Sequence, residues 1–364
     1  MSTHRMSWPG VFGHDWAIDL LTGALGNDRL SHAYLLTGPA HIGKTTLARV
    51  FAQTLNCEVG GLAPCGACRA CQLIAGDRHP DVRLIRPELA SSGRKETLRI
   101  EQVRNLQKAL ALAPYEARYQ VAILTRFHRA SLGGANALLK TLEEPPERVI
   151  IILTADLLDP LLPTIVSRCQ SLSLRPLPLE KVESALLEGW KATEDQAHQL
   201  AHLSGGRLGL AVRLLSDPHL LALRQEQLDA LESLLHQDRT GRFLYAERMA
   251  RKKRGTAIVD TLELWLGWWR DVVLIAGGDP HTPFPITNLD RIDRITRIAR
   301  ECGLETACEA VRSIQETIWQ LERNANTRLA IEVLMLNLPF LLTRSAIPRP
   351  QDLDQAAKSP ATPL

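Results

Sequence analysis

No apolar run in this 364-residue sequence approaches the roughly 18 residues needed to span a bilayer, which excludes a membrane-crossing helix. The opening MSTHRMSWPGVFGHDW has no apolar core of signal-peptide length, so the expectation is a soluble protein that stays in the cytoplasm. The stripe of Lys and Arg that marks a dedicated nucleic-acid binder is also missing. With 43 basic against 40 acidic residues the net charge is only +3, so any contact with DNA should be local or shared with partners. No internal repeat of fixed period is evident. The most telling absence lies in VAILTRFHRA, residues 121–130, where a buried strand ends in Thr125-Arg126 rather than in acids.

What is present suffices for two or three domains of ~100–200 residues each. In the first half, helical and strand patterns alternate. AIDLLTGALG, KTTLARVFAQTL, IEQVRNLQKALAL and ANALLKTLEE read as helices, and AYLLTG, DVRLIRP, QVAILT and VIIILTA as strands, which predicts a mainly parallel sheet covered on both faces. After residue 173 the strands stop. Residues 178–216 fit three short helices, and the pattern then stays helical to about residue 343, interrupted by a loop at GGDPHTPFP. SAIPRPQDLDQAAKSPATPL lacks an apolar face and reads as a flexible tail.

Between a predicted strand and a predicted helix, Gly38-Pro39-Ala40-His41-Ile42-Gly43-Lys44-Thr45 matches G-x-x-x-x-G-K-[ST], and Thr46 follows. Small residues let backbone N–H groups approach phosphates, Lys44 would neutralise them, and the Thr45 hydroxyl would ligate magnesium. The alternative is a loop that keeps the shape without binding nucleotide, because Thr125-Arg126 removes part of the reason to hold magnesium. Cys57, Cys65, Cys68 and Cys71 form C-x7-C-x2-C-x2-C, with Pro64 and Gly66 shaping short knuckles. Four thiolates so spaced suit one closed structural zinc; an iron–sulfur cluster and unmetallated thiols are the alternatives. His79 could compete as a ligand, but the following Pro80-Asp81 favours a turn. Cys169, Cys302 and Cys308 have no such partners and read as small buried hydrophobes.

Several segments together resemble the clamp-loader subunits of bacterial DNA polymerase III, within the AAA+ family, and the delta-prime branch above all. They are DRLSHAYLLTGPAHIGKTT, the four-cysteine insert, HPDV at 79–82, NALLKTLEEPPERVIIILTAD at 136–156 and IVSRCQ at 165–170, and the resemblance extends over roughly residues 7–345. It implies an α/β P-loop AAA+ module over residues 1–173 with a small zinc-binding insert at 57–71. It further implies a three-helix lid over 174–216 and an all-α C-terminal collar domain over 217–345, beyond which the segment read from its composition as a flexible tail is 346–364. Ser167-Arg168-Cys169 carries the arginine that in this family reaches a neighbour's ATP. The related gamma and tau subunits have Asp-Glu where this chain has Thr125-Arg126, and a lid arginine where alignment of SGGRLGLAVRL puts Gly209.

The implied role is a non-hydrolysing ring member that offers Arg168 in trans during ATP-dependent loading of the sliding clamp. Its partners would be gamma/tau and delta, with primed DNA and the clamp met through the complex. Zinc is the implied metal, and ATP or ADP with magnesium an optional structural ligand. A self-sufficient ATPase like gamma/tau is the alternative, for which Asp156, placed just past the site, is the one candidate acid. A zinc-bearing scaffold without nucleotide function is the third reading. Arg251-Lys252-Lys253-Arg254 reads as a solvated helix end, and Trp265, Trp268 and Trp269 as buried packing rather than a base-stacking platform. Asn324 and Asn326 suit helix packing or capping.

Overall fold

In the computed structural model, residues 8–89, 96–156, 158, 160–252, 255–278, 286–323 and 325–341 are described. The tail expected at 346–364, most of the GGDPHTPFP loop, Lys253-Arg254 and Asn324 lie outside them. Contacts divide the chain into two units, Met1–Pro218 and His219–Leu364.

The first unit opens with α1 (Asp15–Gly26) and β1 (Ala33–Thr37), then passes through the glycine loop into α2 (Lys44–Asn56). The cysteine segment closes on a short α3 (Arg69–Ala75). Next come β2 (Val82–Ile85), a two-stranded ribbon of β3 (Glu88–Leu89) and β4 (Glu96–Thr97), α4 (Ile100–Leu110) and β5 (Gln120–Leu124). A single 3-10 turn (Phe127–Arg129) precedes α5 (Leu132–Glu143), β6 (Val149–Ala155), α6 (Pro163–Val166) and β7 (Gln170–Ser173). Three helices end the unit: α7 (Leu179–Trp190), α8 (Glu194–Ser204) and α9 (Leu208–Ser216). Among the described residues no strand follows Ser173.

Five strands form one sheet in the order β2-β5-β6-β1-β7, every pairing parallel. β1, β5 and β6 are buried along their whole length, which is why each reads as a continuous apolar run rather than an alternating one. Alternation survives as a choice of face. Tyr34, Leu36, Val121, Ile123, Ile150 and Ile152 pack with Leu47 and Phe51 of α2. Leu35, Ala122, Leu124, Ile151 and Leu153 pack with Leu106 of α4 and Leu138 and Leu142 of α5. The β3–β4 ribbon and α3 have no counterpart among the expected elements; both are too short to show a period.

The second unit is helical among its described residues: α10 (Pro218–Leu235), α11 (Arg239–Lys252), α12 (Gly255–Ala276), α13 (Ile292–Glu322) and α14 (Thr327–Asn337). α13 is broken at Gly303, where φ is +73°. Trp265, Trp268 and Trp269 are fully buried with Leu228, Leu231, Ile295, Ile331 and Leu334, so the tryptophans are core and offer no stacking face. Asn326 caps α14 by accepting from the N–H groups of Arg328 and Leu329. The buried Arg242 guanidinium donates to the carbonyls of Leu234, Met335, Leu338 and Pro339, tying α10 to the end of α14. Cys169, Cys302 and Cys308 are half-buried, not buried as expected; Cys169 and Cys302 border the apolar clusters without entering them. No helix among the described residues is long and apolar enough to cross a membrane.

Candidate nucleotide and metal sites

Gly38 to Gly43 connects the carboxyl end of β1 to the amino end of α2. Two glycines make the turn possible. Gly38 has φ +135° and its backbone passes so close to the Leu174 carbonyl that a Cβ would sit 2.3 Å from the oxygen; Gly43, at φ +109°, is the N-cap of α2. Lys44 begins α2, with Thr45 and Thr46 in its first turn. The free N–H groups and positive end of such a helix favour a phosphate.

Lys44 is already satisfied from within. Its Nζ donates to the carbonyls of Gly38 (2.6 Å) and Pro39 (2.7 Å) and pairs with Asp156 Oδ1 at 2.8 Å. The side chain is 7% exposed; burial lowers its pKa and the Asp156 carboxylate opposes that. Asp156 therefore lies inside the site, correcting the expectation that it falls just past it. Register is the reason: β1 pairs with β6 so that Thr37 faces Ala155, and the next residue, Asp156, comes out beside Gly38. His128 completes the cluster. Its Nδ1 accepts from the Asp156 N–H at 3.2 Å and its Nε2 lies 3.6 Å from Oδ2, while burial pushes its pKa down to about 4.

The end of β5 offers no carboxylate. The Thr125 hydroxyl donates to the Ile85 carbonyl (3.2 Å), and Arg126, at φ +49°, turns its guanidinium to Glu96. The Arg126 N–H donates to the Thr154 hydroxyl at 3.0 Å, so that group too is engaged. Across the loop, α9 lies so close that a Cβ on Gly209 would stand 2.5 Å from the His41 carbonyl. Any side chain there would force the two apart. Loss of solvent at His41, then the charges of Arg213 and Arg207, lower its pKa, so α9 does bring guanidinium charge to the loop from positions the motif did not single out.

Arg168 lies between α6 and β7. One nitrogen donates to the Thr164 carbonyl at 2.9 Å and another pairs with Glu143 at 2.8 Å, with both side chains substantially exposed. It does not join the Lys44 cluster.

The four cysteines converge, with all four Sγ atoms within 4.8 Å of one another. Cys57 is the C-cap of α2 and Cys68 the N-cap of α3, so two helix ends fix the geometry. Backbone N–H groups of Cys65, Cys68 and Cys71 point at the sulfurs of Cys57, Cys65 and Cys68 respectively, 3.3–3.4 Å away. Such donors stabilise thiolates. The N–H groups of Cys68 and Ala67 bring Cys65 down to about 6, whereas burial pushes Cys71 up. Four soft donors without an opening fit one tetrahedral zinc. His79 stays out of this group; it is buried in a turn, where its carbonyl accepts from the Val82 N–H and its Nδ1 from the Asp81 N–H. Asp81 in turn accepts from the N–H groups of Tyr115, Glu116 and Ala117.

Residues 13–178 match the family described as DNA polymerase III, delta subunit. Over 321 residues the chain is 29% identical to the DNA polymerase III subunit delta' of Bacillus subtilis (strain 168), covering 88% of this chain and 94% of that protein. Identity to the delta' subunit of Pseudomonas aeruginosa is 34% over 227 residues, 61% of this chain and 66% of that protein. Likeness to the tau subunit of Escherichia coli (strain K12) is 38% over 210 residues, but these span 56% of this chain and only 32% of tau. The similarity to tau thus stops well short of that protein's length, whereas the similarity to the Bacillus delta' subunit runs nearly end to end, and the chain belongs to the family of bacterial DNA polymerase III delta-prime subunits.

Proposed function

We propose that the chain is a non-hydrolysing member of a clamp-loader ring, in which it offers Arg168 to an ATP held by an adjacent subunit. The observation that carries the reading is the site around Lys44: β5 ends in a hydroxyl and a diverted arginine, and the carboxylate that reaches the lysine among the described residues, Asp156, is spent on it. Phosphoryl transfer depends almost wholly on positioned charge, so a site without a free metal-holding acid turns over little. Arg168 suits the opposite role. Its exposed pair with Glu143 is worth ~0–1 kcal/mol, so a neighbour's phosphate can take the guanidinium at small cost.

On this reading residues 1–173 are the AAA+ module, 174–216 its lid and 217–345 the collar that joins it to gamma/tau and delta. Cys57, Cys65, Cys68 and Cys71 hold a zinc whose contribution is to fold the insert, with no chemistry at the ring's ATP. Gly38, Pro39, Gly43, Lys44, Thr45 and Thr46 would cradle ATP or ADP as a structural ligand, and primed DNA and the sliding clamp are met through the assembled complex in the cytoplasm.

A second reading, a self-sufficient ATPase, draws on Asp156 standing at Lys44. The experiment that separates the two is reconstitution with gamma/tau and delta subunits. ATP turnover by the isolated chain and by the ring, and clamp loading on primed DNA, are measured together. Loading that requires this chain, with no turnover by the chain alone, is the expected outcome; lysine-dependent turnover by the isolated chain would favour the second reading.

A further inference from the structure

We infer that Glu183, His198 and His202 form a second metal site, of the two-histidine, one-carboxylate class, unrelated to the cysteine cluster. His198 and His202 are four residues apart on α8 and so share a face, with ring centroids 4.9 Å apart. Glu183 reaches them from α7, its Oε1 2.9 Å from His198 Nδ1. One ligand atom from each of the three lies within 4.8 Å of the others, a grouping matched among the described residues only by the four cysteines.

The frame is set before any ion arrives. Thr193 and Gln196 form a capping box at the start of α8, and Gly205 in the left-handed region closes its end, so the histidine pair rests on a helix fixed at both ends. α7 packs directly against α8, which holds Glu183 in reach. The His198 side chain is 62% exposed, leaving the site open to ions from solvent. Two borderline imidazoles beside one hard carboxylate favour zinc, nickel, cobalt or copper over magnesium or calcium. An ion here takes the place of the proton shared between His198 and Glu183, staples α7 to α8, and keeps open positions for water.

The test uses full-length protein with its cysteines loaded with zinc and excess metal removed. Nickel is then titrated calorimetrically at pH 7.5 into wild type, His198→Ala, His202→Ala, the double variant and Glu183→Gln, with circular dichroism confirming that each is folded. One additional nickel per chain is expected in wild type. Affinity should fall by about tenfold or more in each single histidine variant, since losing even an outer-shell partner costs roughly 10–100-fold, and binding should vanish in the double variant. Saturating nickel should raise the melting temperature of wild type and not of the double variant. Identical titrations of wild type and double variant would overturn the site, because the ion would then be held elsewhere. An unchanged affinity in Glu183→Gln would remove the carboxylate from it.

Discussion

The ion pair between Lys44 and Asp156 makes a two-sided prediction for Asp156→Asn. The pair is 2.8 Å long, with side chains 7% and 24% exposed. At an effective dielectric of about 20, unit charges roughly 4 Å apart attract by about 4 kcal/mol. Asp156 keeps some solvent, Lys44 keeps the Gly38 and Pro39 carbonyls, and Asn still accepts one hydrogen bond. The net loss should therefore fall between the ~0–1 kcal/mol of an exposed pair and the ~3–5 of breaking a buried one, or about 2 kcal/mol. Without nucleotide the variant should melt earlier and exchange amide hydrogens faster over residues 38–46. With nucleotide the sign reverses. In wild type a phosphate must take Lys44 from Asp156 and leave that carboxylate unpaired beside it, whereas in the variant neither cost arises. ADP should bind more tightly by up to roughly 30-fold, the equivalent of 2 kcal/mol, in magnesium-free calorimetry, with Lys44→Ala as the non-binding control. If ADP bound Asp156→Asn equally or more weakly while the loop loosened, Asp156 would be a support of the phosphate site and not its competitor.

In a reconstituted ring, Arg168→Ala should slow single-turnover hydrolysis at the adjacent site by a factor on the order of 10³–10⁵ without preventing assembly, and Arg168→Lys should not restore it. Rates equal to wild type in both would leave Arg168 as no more than the partner of Glu143. Elemental analysis should find about one zinc per chain, lost in Cys68→Ser together with protection of the 57–71 segment, since closed thiolate sites contribute on the order of 10 kcal/mol in small peptides; an iron–sulfur absorption band would contradict this. Burial holds His128 at about 4 and lowers His14 and His79 as well. The unfolded chain, titrating near 6.5, therefore binds more protons than the folded one as pH falls from 6.5 to about 4, and stability should drop across that window. The urea midpoint of His128→Gln should fall less between pH 7 and pH 5 than that of wild type; an equal fall would show that His128 is not held neutral.

The parts of this molecule that could be read in advance are those whose cause is local. QVAIL and VIIILTA are apolar throughout because both faces of a parallel sheet are covered, and the cysteines converge because two short knuckles and two helix ends lie within fifteen residues of sequence. The Trp265 stripe could be assigned to a core from its continuous apolar flanks. What stayed hidden depends on register and on helices meeting across distance. Glu183 joins His198 only because α7 lies on α8, and the absence of space at Gly209 follows from where α9 meets His41.

Asp156 shows most clearly how such a miss arises. The family resemblance puts it just past the site. The register of β1 on β6 brings it to the lysine. Lys44 is nearly buried, and an ammonium group in that position needs a counter-charge or it loses its proton. β5 provides only the Thr125 hydroxyl, already given to the Ile85 carbonyl, so the demand passes to the neighbouring strand end. One carboxylate then does for Lys44 what a phosphate would do. With Lys44 paired from within, the loop from Gly38 to Gly43 has its folded shape supported by the chain itself, and its sequence alone is a poor guide to turnover.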